Sequence, residues 1–282
     1  MRDDFVDRYG PWALVAGASE GIGAAFANRI AAAGLNLILV ARRPGPLEEL
    51  ATELRAAHGV EVRWATIDLT SPDLRAELLP VTVGADVGLL VYNAGAVHGA
   101  DLFVERPLDD ALGLIDLNCR GVTLLTHHFA RAMVERHRGG IILMTSMSAV
   151  AGSGYTAVYN ATKAFDLVLA EGLWMELGTS SVDVLAVPAG LTETPAMRRS
   201  GILDTDSGFV AMAADDVAGE ALDALGVVGP MLVPGTANKE GAAFMWPVPR
   251  AQLVRAMTDG ATALYDVPVL DDPATVGPDD PG

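Results

Sequence analysis

The 282-residue chain predicts an α/β fold, a doubly wound parallel sheet with helices on both faces in a single domain. Three observations carry that expectation. Short runs that are apolar at every position recur along the chain, as expected of strands buried on both faces. Stretches of helical period separate them, which is how parallel neighbours are connected. No internal repeat or Pro/Ser-rich linker divides the chain, and its length suits one α/β domain with a substantial core.

The first run, 12–16, leads into Gly17-Ala18-Ser19-Glu20-Gly21-Ile22-Gly23 and an alanine-rich helical stretch that ends at Gly34. A second apolar run follows at 35–40. Strand, glycine turn, helix and strand in this order make a Rossmann-type βαβ unit. The glycines let the backbone turn sharply and approach a pyrophosphate, which sits on the free N–H groups of the helix N-terminus. Gly17, Ser19, Gly21, Ile22 and Gly23 are therefore candidate cofactor contacts. The spacing is Gly-x-x-x-Gly-x-Gly, not the commoner Gly-x-Gly-x-x-Gly, and its bland reading is a ligand-free turn.

The end of the second run reports on the cofactor. An acid there would bond the ribose 2′-OH of NAD, and an arginine accommodates the 2′-phosphate of NADP. The chain has Ala41-Arg42-Arg43 and no acid, which favours NADP(H) over NAD(H). Glu20, inside the glycine loop, is an objection because it adds negative charge near the phosphates.

Farther on, Tyr159 and Lys163 stand four apart, with Ser146 upstream. Residues 161–177 read as helix, where positions four apart lie one above the other. A free tyrosine, with a pKa of about 10, is a poor acid–base catalyst near neutrality. A neighbouring ammonium favours the phenolate and brings it toward the working range. Taken alone, Tyr-x-x-x-Lys is more often an ordinary pair on a helix surface. Its weight comes from the other motifs in the chain.

Together these pieces resemble the short-chain dehydrogenase/reductase family, in its short single-domain branch, over residues 12–194. The resemblance implies an oxidoreductase that moves a hydride between a nicotinamide and a carbonyl or alcohol carbon. Asp68, followed by Leu69, is similar to the family's adenine-contacting Asp. Tyr92-Asn93-Ala94-Gly95 is similar to Asn-Asn-Ala-Gly, with Tyr92 for the first Asn. Asn118 matches the helix Asn that implies a water held beside the lysine. Ser146 matches the serine that polarises the substrate oxygen, and Ser148 is a decoy at the wrong interval. By the same resemblance Tyr159 is the general acid/base, and Lys163 both lowers its pKa and holds the ribose. Gly190, Thr192 and Thr194 frame the nicotinamide, although Pro188 stands one place earlier than in the family's Pro-Gly. The resemblance also implies a mobile lid at about 195–212 and a homodimer or homotetramer.

Composition excludes several classes. A formal charge of −17 makes nucleic acid and anionic membranes poor partners, since both reward a basic face. The polar N-terminus and the absence of a membrane-length apolar run, with one cysteine (Cys119), fit a cytoplasmic protein. One Cys and five scattered His offer no metal cluster, and His127-His128 read as helix surface or packing.

The substrate is less legible. Met197, Ile202, Leu203 and Phe209 could line a pocket for a bulky apolar ketone or pack the lid on the core. Arg198-Arg199 could meet an anionic acyl-type compound or be a solvated pair. His98 and Tyr155 could reach the substrate. Beyond the lid, 214–217 opens a helix with an Asp as N-cap, a strand falls near 231–233, and two helices run to about 264. The domain is expected to span 1–265, with 266–282 a disordered tail. The other class of function, a nucleotide sensor or scaffold without catalysis, would need only the glycine loop and Asp68. The intact Ser146, Tyr159, Lys163 and Asn118 argue against it.

Overall fold

The computed structural model describes residues 4–96, 99–199, 210–245 and 250–265. Six strands, Trp12–Ala16 (β1), Asn36–Ala41 (β2), Val62–Thr66 (β3), Val87–Tyr92 (β4), Gly139–Ser146 (β5) and Val182–Ala189 (β6), form one parallel sheet in the order β3-β2-β1-β4-β5-β6. Side chains alternate across the sheet, and both faces are covered. Ala13, Val15, Leu37, Leu39, Leu89 and Val91 pack with Phe26 and Ile30 of helix Gly21–Ala32 (α2) and Leu47 and Leu54 of Pro44–His58 (α3). Leu14, Ile38, Val40, Leu90 and Tyr92 face the other way, toward Leu74 and Leu78 of Leu74–Thr82 (α4), Leu125 and Phe129 of Val122–Glu135 (α6) and Leu167 of Ala157–Gly178 (α7). Helix Leu108–Ile115 (α5) leads into α6.

Local signals explain several boundaries. Pro44 opens α3, where its missing N–H costs nothing, and Gly59 closes it in the left-handed region at φ +69°. Helix α7 begins at Ala157, so Tyr159 sits within its first turn. The order of connection reverses between β1 and β4, which opens a crevice at the carboxyl ends of these strands.

The N-terminal helix Phe5–Tyr9 (α1) is fixed to β6. The Arg8 guanidinium donates to both carboxylate oxygens of Asp183 at 2.6 and 2.9 Å, and the Tyr9 hydroxyl donates to Asp183 at 2.8 Å. Burial first, then the nearby carboxylate, pushes the Tyr9 phenol well above its usual range.

Two expectations are corrected. Residues 231–233 do not form a strand; only Met231 bridges to Ala186, through bonds from Ala186 to Pro230 and from Leu232 to Ala186. Pro230 and Pro234 bracket the segment and lack the N–H a ladder needs, so pairing stops there. Helix Ala214–Ala224 (α9) is not capped by an aspartate side chain: Ala213 occupies the N-cap, and Asp215 forms a two-bond pair with Arg29 of α2 at 2.6 and 2.7 Å. The charge-assisted bidentate pair outcompetes a cap.

Within the segment expected to form a lid, the short helix Pro195–Arg199 (α8) and strand Met212–Ala213 (β8), paired with Thr192–Glu193 (β7), are described. Residues 200–209 of the expected lid, and with them Ile202, Leu203 and Phe209, lie outside the described residues, as do His98 and the expected tail at 266–282. Helices Thr236–Met245 (α10) and Arg250–Tyr265 (α11) follow, as expected.

Candidate active site

The glycine loop leaves β1 at Gly17 and enters α2 at Gly21, both in the left-handed region (φ +80° and +57°) that side chains rarely adopt. A Cβ on Gly17 would come within 2.7 Å of the Ala94 backbone, and one on Gly21 within 2.9 Å of the Thr194 methyl. A Cβ on Gly23 would collide with the Gly17 carbonyl and lie 2.7 Å from Asn93 Nδ2. The Asn93 amide donates to that same carbonyl at 3.0 Å. Glycine is therefore required where the loop meets the Asn-Ala-Gly turn after β4 and the Thr194 segment after β6. Ser19 and Ile22 lie half-buried on the loop. No side chain caps α2, so its first N–H groups remain available to an anion. The cradle fits a dinucleotide phosphate.

At the end of β2, Arg43 pairs with Glu20 at 2.5 Å, and Arg199 of α8 grips the same carboxylate at 2.5 and 3.0 Å. The bonds from Arg199, then from Arg43, hold the Glu20 carboxyl below its usual range despite some burial. Glu20 thus arrives with compensating cations, which answers the objection its charge raised. Arg42 is exposed and forms no hydrogen bond or ion pair among the described residues. Asp68 is exposed after β3 and accepts from the Thr70 N–H and hydroxyl, which with Arg42 lower its carboxyl. Leu69 is buried beside it. Arg198 pairs with Glu193, so neither Arg198 nor Arg199 is a free cation for an anionic substrate.

Ser146 ends β5 and accepts from the Ser148 N–H at 3.1 Å. The preceding Thr145 hydroxyl donates to the Lys163 carbonyl at 2.6 Å, which clamps the strand end to α7. Lys163 is 4% exposed, and its ammonium donates to the Met144 carbonyl at 2.9 Å and to Asp166 at 3.0 Å. A Cβ on Gly95 would lie 3.2 Å from that ammonium and 3.6 Å from Asn118 Oδ1, so glycine keeps this space open. Asn118 is wholly buried, and Oδ1 has no hydrogen-bond partner among the described residues. The orphaned acceptor beside a buried ammonium suits a water or a ligand hydroxyl. Tyr159 is half-buried and lines a small cavity with Tyr155, Phe103 and Leu114.

Asn118 lies in a π-helical turn, Asp116–Gly121, between α5 and α6. Such turns are rare and often mark functional sites. Gly190 packs against Asn238 of α10, and the Thr192 hydroxyl donates to the Gly190 carbonyl at 3.0 Å. Thr194 Oγ1 accepts from the Met197 N–H at 3.2 Å and holds the start of α8.

Sequence reasoning missed Asp166, Thr162, Asn238 and Thr258. Thr258 of α11 accepts from the Gly154 N–H at 2.9 Å and brings the C-terminal helix onto the loop before Tyr155. Asp166 had a visible signal, an acid three residues after the lysine on an otherwise apolar helix face.

Residues 11–202 match the short chain dehydrogenase family. The chain belongs to that family. A 7beta-hydroxysteroid dehydrogenase of Clostridium sardiniense is 33% identical over 223 residues, 79% of this chain and 85% of the relative. A structure from a study of 7beta-hydroxysteroid dehydrogenase stereoselectivity superposes with a TM-score of 0.82 at 28% identity, covering 90% of this chain and 98% of the other. A short-chain dehydrogenase from Sphingobium yanoikuyae in complex with NADPH superposes at 0.74, with 33% identity over 86% of this chain and 98% of the other. As a member of the short chain dehydrogenase family, the protein is an NAD(P)-dependent oxidoreductase acting between CH–OH and carbonyl groups. No helix of the described residues is long and apolar enough to cross a membrane.

Proposed function

We propose that the enzyme prefers NADP(H) and interconverts a bulky apolar ketone and its alcohol, with Tyr159 as general acid/base. The observation that carries the assignment is the buried Lys163 ammonium beside Asn118 Oδ1 over the space that Gly95 leaves open. The bound nicotinamide supplies or accepts the hydride. In reduction, the Tyr159 phenol gives its proton to the developing alkoxide, and in oxidation the phenolate removes the hydroxyl proton. Lys163 stabilises that phenolate and holds the ribose, and Ser146 donates to the substrate oxygen as charge develops there. Asn118 holds the water that returns the proton toward solvent. Gly17, Ser19, Gly21, Ile22, Gly23, Asn93, Ala94 and Gly95 hold the phosphates and the nicotinamide half, Asp68 and Leu69 the adenine, and Gly190, Thr192 and Thr194 the nicotinamide edge.

Arg42, unpaired among the described residues, supports NADP(H), and the likeness to an NADPH-bound relative agrees. The substrate class rests on the likeness to a 7beta-hydroxysteroid dehydrogenase and on the apolar Phe103 and Leu114 that line the cavity at Tyr159. The ion pairs of Arg198 and Arg199 weigh against an anionic acyl-type compound. A cytoplasmic homo-oligomer with one domain over 1–265 completes the reading.

The test is fluorescence titration with NADPH beside NADH, then turnover on a panel of ketones including hydroxysteroid ketones. Tyr159→Phe is expected to bind NADPH as the native protein does and to lose turnover by at least a thousandfold. A Tyr159→Phe enzyme that still turns over would overturn the catalytic assignment.

A further inference from the structure

Asp166 lies one turn beyond Lys163 on α7 and is 1% exposed. Its Oδ2 accepts from the Lys163 ammonium at 3.0 Å, and its Oδ1 is buried with no hydrogen-bond partner among the described residues. An unsatisfied buried carboxylate oxygen is costly, and a hydrophobic residue here would extend the apolar face that Leu167 and Ala170 already form. A carboxylate kept under that cost points to work at the ammonium it touches.

We infer that Asp166 is a positioning residue for the acid–base pair, holding the Lys163 ammonium in place and setting, through it, the pH range over which Tyr159 exchanges its proton. The inference rests on the reading of Tyr159 and Lys163 given above. Lys163 favours the Tyr159 phenolate only in proportion to the positive charge it presents. A carboxylate 3.0 Å from the ammonium cancels part of the charge that the phenol experiences. Asp166 also anchors the ammonium while Met144 O holds it from β5, so two fixed acceptors orient it.

Among the described residues, the groups near Asp166 leave this ammonium as its only counter-ion. On its own helix, Lys163 and, one turn earlier, Tyr159 are the titratable neighbours. From β4 comes the Tyr92 phenol, and from the π-helical turn the Cys119 thiol. Burial chiefly, with the negative charge of Asp166 adding to it, raises both, so both stay neutral across the working range. Strand β5 and the 3-10 turn Met147–Val150 bring no charged side chain, and Asp183 of β6 is engaged with Arg8 and Tyr9. His127, Arg131 and Glu135 of α6 meet α7 farther along, beside Leu169, Leu173 and Leu177. Burial pushes the Asp166 carboxyl up to about 6 against the pull of Lys163. It is therefore ionised at neutral and alkaline pH, where Tyr159 would act as base.

The experiment is the pH profile of kcat/KM for alcohol oxidation, in native enzyme, Asp166→Asn and Tyr159→Phe. Removing the carboxylate unmasks the ammonium, so the rising limb in Asp166→Asn is expected to move to lower pH by about one unit, a tenfold change in the phenol's ionisation constant. An unmoved or alkaline-shifted limb in an active Asp166→Asn enzyme overturns the inference and leaves the Tyr159 reading intact. Turnover by Tyr159→Phe instead overturns that reading. If Asp166→Asn does not fold, Asp166→Ser, also uncharged and smaller, is read by the same shift.

Discussion

The Asn118 side-chain amide donates to the Thr162 hydroxyl at 2.9 Å, and that hydroxyl donates in turn to the Tyr159 carbonyl at 2.8 Å. Two buried groups thus join the π-helical turn to the helix that carries Tyr159 and Lys163, and neither end moves without the other. Thr162→Val keeps the shape and removes the hydroxyl. It takes from the buried Asn118 amide nitrogen the acceptor it has among the described residues. Loss of such a partner costs about 1–3 kcal/mol. Urea unfolding is expected to register that loss, with a lower kcat and little change in KM for nucleotide. Thr162→Ser, which restores the hydroxyl, should recover most of both.

Gly23 and Gly45 are both near helix N-termini and give opposite expectations. A Cβ on Gly23 would meet the Gly17 carbonyl and the Asn93 amide, whereas one on Gly45 would meet nothing within 4 Å. Gly23→Ala is expected to abolish detectable binding of either nucleotide, because the loop and the Asn93 turn must separate to admit the methyl. Gly45→Ala is expected to bind as before and to gain about 0.5–1 kcal/mol in unfolding free energy. Equal binding by both variants would show that the glycine loop does not hold the cofactor.

The parts of this site that were legible in the sequence are those fixed by short spacing. Gly17, Gly21 and Gly23 follow a strand and open a helix, and Tyr159 and Lys163 share one helix face, so local periodicity suffices to bring each set together. Strands β1 and β2 were legible because burial on both faces makes nearly every position apolar, whereas the edge strand β3 carries Arg63 and Thr66 and is only partly buried. Illegible contacts join distant segments through a single side chain. Arg199 reaches Glu20 across 179 positions, and Thr258 reaches Gly154 across 104. Nothing in the neighbourhood of either residue specifies its partner. The supposed strand at 231–233 misled for a related reason: three apolar residues suit a ladder, but the flanking prolines stop it after one bridge.

Glu20 sets a charge on the glycine loop, and on the proposed reading its removal should favour the phosphorylated nucleotide. Glu20→Gln releases Arg43 and Arg199 and removes one negative charge near the phosphates. NADP+ is expected to bind several-fold tighter, with a smaller gain for NAD+, whereas Arg42→Ala should weaken NADP+ alone. The pH dependence follows from the carboxyl, which its arginines hold below the ordinary 4.5. Above that value Glu20 is charged, and the native protein and the Gln variant differ by a constant factor. As pH falls through the lowered value the native carboxyl protonates, and the two affinities converge. Titration by calorimetry from pH 8 to pH 4 checks the direction. A difference that vanishes already near pH 6 would place the charge elsewhere.

Helices α6 and α7 carry an apolar groove of about 440 Å³, lined by Ala130, Val134, Leu169, Leu173 and Leu177. On α7, Val168 and Met175 stand 64% and 71% exposed. An isolated domain gains nothing from apolar side chains left in water, and a second copy packing helix on helix would remove them from it. Each copy carries a formal charge of −17, so association works against repulsion that salt screens. The proposed homo-oligomer should therefore dissociate at low ionic strength before it does at 0.15 M salt. Val168→Asp with Met175→Asp adds charge to the face itself and is expected to yield monomers with native-like circular dichroism. Light scattering coupled to gel filtration reads both effects. An unchanged mass for the double variant would move the subunit contact to another face.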